Sequence, residues 1–283
     1  MAATIRRRMT EAAVDYRWSL QPVVIATILL AAAVYWWRVR DLHRDRPMSG
    51  RDWARAASFG AGLTVVFLAL CSPIDTIGET RLFSVHMAQH LLLADIAPIL
   101  LLAGLTRAFL RPAVRRLRPV EEALGPLAHP LVALVALVAS MWAWHLPALY
   151  ELALHHPLVH DLEHLMFFST GVAFWWFVLE PVPPRYRLSG PGSVAYISAA
   201  KLLMGALGLV LAFSPNAIYH AYEHAPRTWG LSPVADLNVG GVEMMFEQSL
   251  VLVVFFVIAL ARMLERSERD QQRRERLGAM PER

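Results

Sequence analysis

Cysteine and lysine are almost absent from this chain. Cys71 is the sole cysteine in 283 residues, so no intrachain disulfide can form. Its thiol is either a small buried hydrophobe or a reactive or metal-binding group. Lys201 is the one lysine among 27 basic residues, which with the abundance of Ala and Leu points to a GC-rich bacterial coding bias. Charge is scarce as well: 18% of residues are charged and 56% hydrophobic, whereas ordinary soluble domains are less apolar and more charged. The mean hydropathy of +0.41 indicates a bilayer rather than a large soluble core. The net charge of +4 does not indicate nucleic acid as a partner, because the arginines lie in short clusters between apolar runs, as loop charges of a membrane protein do. The Gly-rich phosphate loop of the Walker type, the His-Glu-x-x-His zincin motif and the Gly-x-Ser-x-Gly elbow are all missing. No nucleophile–base arrangement is legible, and the chain reads as a non-enzyme, with a zinc-dependent membrane hydrolase as the enzymatic alternative.

What is present is a series of seven apolar segments, at about 20–37, 53–71, 84–105, 130–149, 158–179, 194–213 and 240–262. Each is long enough for a hydrocarbon core of about 30 Å, which takes about 20 helical residues. The expected fold is an all-α integral membrane protein, a bundle of about seven transmembrane helices over 20–262. It is flanked by a polar N-terminal tail, 1–19, and a charged tail, 263–283. The first run has the look of a signal peptide, but no small-residue cleavage site follows it and Tyr35-Trp36-Trp37-Arg38 comes next, so it reads as a retained helix. Arginine clusters follow segments one, three, five and seven, whereas the alternate loops hold only Arg81, none and Arg227. By the positive-inside rule the N-terminus is outside and the C-terminus cytoplasmic, against the vote of Arg6-Arg7-Arg8.

With that topology nine of the 11 histidines lie toward the outer face: His86, His90, His145, His155, His156, His160, His164, His220 and His224. Three pairs, His86/His90, His160/His164 and His220/His224, have the i,i+4 spacing that stacks two imidazoles on one helical face. Glu243 and Glu247 repeat the spacing near the outer end of segment seven, with Met244 and Met245 between them, and Cys71 closes segment two on the same side. Imidazole suits zinc, copper, iron and nickel, and thioether or thiolate shifts the preference toward Cu(I). Two readings follow for the pairs: a shared metal site, or separate interfacial hydrogen-bonding residues. Asp161, Glu163 and Glu223 are either acceptors that fix imidazole tautomers or solvated interfacial charges. Haem held by two axial histidines is the alternative ligand chemistry. Asp95 and Lys201, inside segments three and six, are expected to pair across the bundle.

Four stretches carry a further signal. They are Ser72-Pro73-Ile74-Asp75 leading to His86-Met87-Ala88-Gln89-His90, Trp142-Ala143-Trp144-His145-Leu146-Pro147, His160-Asp161-Leu162-Glu163-His164, and Asp236-Leu237-Asn238-Val239-Gly240-Gly241-Val242-Glu243. In this order and spacing they resemble the multi-pass CtaG family of cytochrome c oxidase assembly factors, linked to oxidases of the caa type. The resemblance implies a bacterial plasma-membrane protein that helps mature a haem–copper oxidase, with copper as the metal and oxidase subunits and an extracytoplasmic copper donor as partners. Only His86, His90, His160 and His164 fall in motifs associated with that family.

Overall fold

The computed structural model describes residues 14–188 and 190–278, and every regular element among them is helical. The helices are α1 (Pro22–Leu42), α2 (Gly50–Cys71), α3 (Pro73–Thr80), α4 (Phe83–Ala103), α5 (Arg107–Leu124), α6 (Pro130–Trp144), α7 (Pro147–His155), α8 (Pro157–Leu179), α9 (Gly190–Ala212), α10 (His220–Glu223) and α11 (Pro233–Gly278). Six of them, α1, α2, α4, α8, α9 and α11, are long and apolar enough to cross a membrane. A seventh span is formed if the end of α5 and α6, bent by 71° about a short break, are taken as one.

Local chemistry sets the helix starts. Ser49 and Asp52 close a reciprocal capping box on α2, and Pro22, Pro130, Pro147 and Pro157 occupy first-turn positions where no N–H is needed. The fourth segment is expected to run to 149, but α6 stops at Trp144. Leu146 precedes Pro147 and is held extended, so the chain breaks there and resumes as α7. At the other end, α11 continues into the charged tail as a single helix of 46 residues. Arg6-Arg7-Arg8 and the rest of 1–13 lie outside the described residues, as do 279–283.

The third span, α4, is the axis of the bundle. Of its most apolar stretch 61% is buried, against 11% for α1 and 17% for α11. It packs against α2, α3, α8 and α11. Its middle widens into a π turn, Leu92–Ile96, because Pro98 has no N–H to give the Ala94 carbonyl. That carbonyl faces Gly171 of α8 so closely that a Cβ there would stand 2.1 Å from the oxygen. The same turn carries Asp95, whose Oδ1 accepts from Lys201 Nζ of α9 and from Trp175 Nε1 of α8, each at 2.7 Å. The expected Asp95–Lys201 pair is thus present. Large apolar side chains such as Leu29, Leu30, Val253 and Phe256 remain exposed on the periphery, the pattern of a lipid-facing surface.

Candidate metal centre

The site is built at the N-terminal end of α4. Its first free N–H groups, on Phe83 and Ser84, are capped from another helix. Asp236 of α11 accepts from Phe83 N at 2.6 Å, Ser84 N at 3.1 Å and Ser84 Oγ at 2.6 Å. Behind it α3 presses so close that a Cβ on Gly78 would be 3.0 Å from His86 Cα. With the first turn fixed, His86 and His90 lie one turn apart on one face, their tilted rings 4.2 Å apart by centroid, and His160 and His164 do the same on α8 at 4.1 Å. The two pairs meet edge to face: His86 lies 5.3 Å from His160, and His90 lies 5.5 Å from His164. All four are buried.

Two overlapping donor sets result. His86, His90 and His164 each offer a nitrogen, and these atoms lie within 4.8 Å of one another; His86, His160 and the Glu163 carboxylate form a second set at the same limit. His86 Nε2 and His160 Nε2 are 3.3 Å apart, and His90 Nε2 is 3.8 Å from Glu163 Oε1. Both ring nitrogens of His90, Nε2 of His164 and both carboxylate oxygens of Glu163 are buried without a hydrogen-bond partner. Each such group costs about 1–3 kcal/mol when left unsatisfied. Lone pairs that converge in this way fit a metal ion, which would satisfy them together.

Surrounding groups set the tautomers. Glu79 of α3 accepts from His160 Nδ1 at 2.7 Å, which turns the Nε2 lone pair inward. His86 Nδ1 is 2.7 Å from Tyr150 Oη and 3.1 Å from Tyr222 Oη, and the two phenols are 2.9 Å apart. Tyr222 donates to the Gly78 carbonyl at 2.7 Å. Burial pushes the acidity of both phenols well down, raising their pKa, so they serve as neutral hydrogen-bond partners. When the Tyr150 hydroxyl points at His86 Nδ1, His86 Nε2–H donates to His160. When it rotates to the Tyr222 oxygen, His86 donates through Nδ1–H and its Nε2 lone pair joins that of His160. The phenol pair can therefore accommodate either tautomer without a change of net charge.

The sequence profile of the cytochrome c oxidase caa3 assembly factor family matches residues 33–266. The chain belongs to this family. The matched range contains all four clustered histidines with Glu79, Tyr150, Glu163 and Tyr222. It is also similar to uncharacterised mycobacterial proteins. One, of Mycobacterium bovis, is 25% identical over 246 residues, covering 78% of this chain and 37% of the relative. Another, of Mycobacterium leprae, is 23% identical over 282 residues, covering 92% of this chain and 41% of the relative. The chain thus spans about two fifths of the length of these relatives. No solved structure matches it.

Not every residue expected at the site comes to it. His220 and His224 are exposed on and just after α10. His220 Nδ1 pairs with Glu223 Oε2 at 3.0 Å, and it is Tyr219 and Tyr222 that point inward. Glu243 and Glu247 are elsewhere: Glu247 reaches Asp95 and Lys201 in the middle of the bundle, and Asp236 is the charged neighbour of Glu243. Cys71 is buried beside the Gln21 backbone and Asp75. Of the acidic neighbours, Asp161 and Glu223 are exposed and Glu163 is fully buried in the cluster. Glu79, Tyr150 and Tyr222 are the residues that sequence reasoning passed over. For the tyrosines the i,i+3 spacing of Tyr219 and Tyr222 was the available signal, since it marks the inward side of the segment whose His spacing marks the outward side.

Proposed function

We propose that this assembly factor binds copper as cargo on the cluster of His86, His90, His160, His164 and Glu163, at the extracytoplasmic end of the bundle, and delivers it to an oxidase subunit. The observation that carries the reading is the set of unpartnered buried donors on His90, His164 and Glu163. Membership in an oxidase assembly family supplies the destination. The arginine distribution supports the outward orientation of the His-bearing end. Imidazole donors in an otherwise apolar interior suit copper in either oxidation state. Haem fits poorly: His86 is 4.2 Å from His90, 5.3 Å from His160 and 5.4 Å from Tyr150, ring to ring, so a macrocycle would displace all three.

The test is metal content of the purified protein beside His86→Ala/His90→Ala and His160→Ala/His164→Ala, with oxidase activity in matching strains. The wild type is expected to carry copper that both double variants lose, together with oxidase maturation. No copper above background in the wild type overturns the reading. A zinc hydrolase is the second reading, favoured by the spacing of His160, Glu163 and His164, which matches the His-x-x-Glu-His zinc motif with Glu163 as general base. Stoichiometric zinc in place of copper selects it.

A further inference from the structure

One contact at the edge of the cluster pairs two atoms that have no hydrogen to share. His145, the residue that follows α6, places Nδ1 2.7 Å from the Met141 carbonyl. A carbonyl only accepts, so Nδ1 carries the proton and the Nε2 of the neutral ring presents a lone pair. That lone pair points at Met87 Sδ, 3.0 Å away, a thioether that has no hydrogen either. Among the described residues no carboxylate pairs with His145 to favour an imidazolium. Met141, Phe167, Tyr150 and His90 stand around the ring, all of them buried and none an anion. Two facing lone pairs in a dry, neutral pocket are stabilised by a cation between or beside them.

We propose that Met87 Sδ and His145 Nε2 form a holding point selective for a monovalent soft metal ion, Cu(I), next to the His–Glu cluster. This deepens the copper reading above and rests on it. The chemical class follows from the donors: one thioether sulfur and one imidazole nitrogen, without charge, favour a soft monovalent ion over a hydrated divalent one. The spacing also fits. Metal–nitrogen and metal–sulfur bonds of about 2.0 and 2.3 Å at a right-angled bite put the two donors about 3 Å apart. Met87 lies three residues before His90 and so shares a helical face with it. The His90 ring stands 6.2 Å from that of His145 and 5.5 Å from that of His164, between the Met–His pair and the rest of the cluster. His90 has both nitrogens free of partners. It is therefore placed to act as the shared ligand, through which one ion passes between the Met–His point and the His–Glu cluster by ligand exchange without a change in oxidation state.

The experiment is Cu(I) and Zn(II) affinity by chelator competition for the full chain and its Met87→Leu variant, with copper-edge X-ray absorption on the Cu(I)-loaded protein. The expected result is a copper–sulfur shell at about 2.3 Å. Selenomethionine labelling of the unaltered sequence should turn it into a copper–selenium shell, a readout independent of whether the variant folds. Met87→Leu is expected to weaken Cu(I) binding tenfold or more and to leave Zn(II) within twofold. A nitrogen-only shell together with unchanged Cu(I) affinity in Met87→Leu overturns the proposal while the cluster itself stands. A wild type that binds no Cu(I) overturns the proposal, and one that binds neither Cu(I) nor Cu(II) overturns the copper reading with it.

Discussion

Two buried polar clusters share α4, and they are built on opposite principles. Five residues past His90, Asp95 meets Lys201, Trp175 and Glu247 in the middle of the bundle. There the charge is met within the protein: Asp95 Oδ1 takes the Lys201 ammonium and the Trp175 indole N–H at 2.7 Å each, although Asp95 Oδ2 and Glu247 Oε1 have no donor of their own. At the end of the helix, His86, His90, His160, His164 and Glu163 are equally buried, yet several of their lone pairs have no donor. The first arrangement binds helices to each other. The second is incomplete as protein alone, and that incompleteness is what suits it to a ligand. Neither burial nor the presence of an unpaired oxygen distinguishes the two; a built-in cation does, since Lys201 neutralises the first cluster and no lysine or arginine pairs with the second among the described residues.

The comparison can be broken most forcefully at its closed end. Lys201→Met leaves Asp95 buried without its cation and should cost about 3–5 kcal/mol, read as thermal unfolding in detergent, with Lys201→Met/Asp95→Asn recovering most of it. Unchanged stability in the single variant would mean that the ion pair holds nothing together. On the open end, Glu79→Gln removes the carboxylate that orients His160, and copper affinity should fall by about 10–100-fold with the fold intact. An affinity within twofold of wild type would show that His160 needs no orienting partner. His90→Leu takes two unsatisfied nitrogens out of the interior, so the metal-free protein should unfold at the same or a higher temperature, by about 1 kcal/mol of stability, even as copper is lost. A large destabilisation there would mean that these nitrogens are satisfied by the protein after all. The smallest effect is expected at the exposed pair: His220→Ala/His224→Ala should leave copper content and stability unchanged, and loss of copper would return these residues to the site.

The bundle was legible from apolar run lengths, since hydrocarbon thickness dictates them, and the Asp95–Lys201 pair from the rule that intramembrane charges find partners. The two central His pairs were legible because i,i+4 spacing fixes their shared face before any tertiary packing. Which face then turns inward is a tertiary matter. In α10 the packing of Tyr219 and Tyr222 decided it against the flanking histidines. In α11 the rotation that lets Asp236 reach α4 also directs Glu247 to Lys201 instead of to the His cluster. Glu79 lies on a short helix outside every apolar segment, where no periodicity singles it out. The break at Leu146-Pro147 was visible as a proline but was outweighed by continuous hydropathy.

The contact from Asp236 to the first turn of α4 has a consequence for biosynthesis. It joins residues 83 and 236, so the cap on the histidine-bearing helix comes from a span synthesised 153 residues later. Until α11 inserts, the leading N–H groups of α4 lack that acceptor and His86 sits on an unfastened turn. Closure of the histidine cluster is thereby tied to the insertion of α11, and a chain stalled before that helix presents His86 on a loose turn.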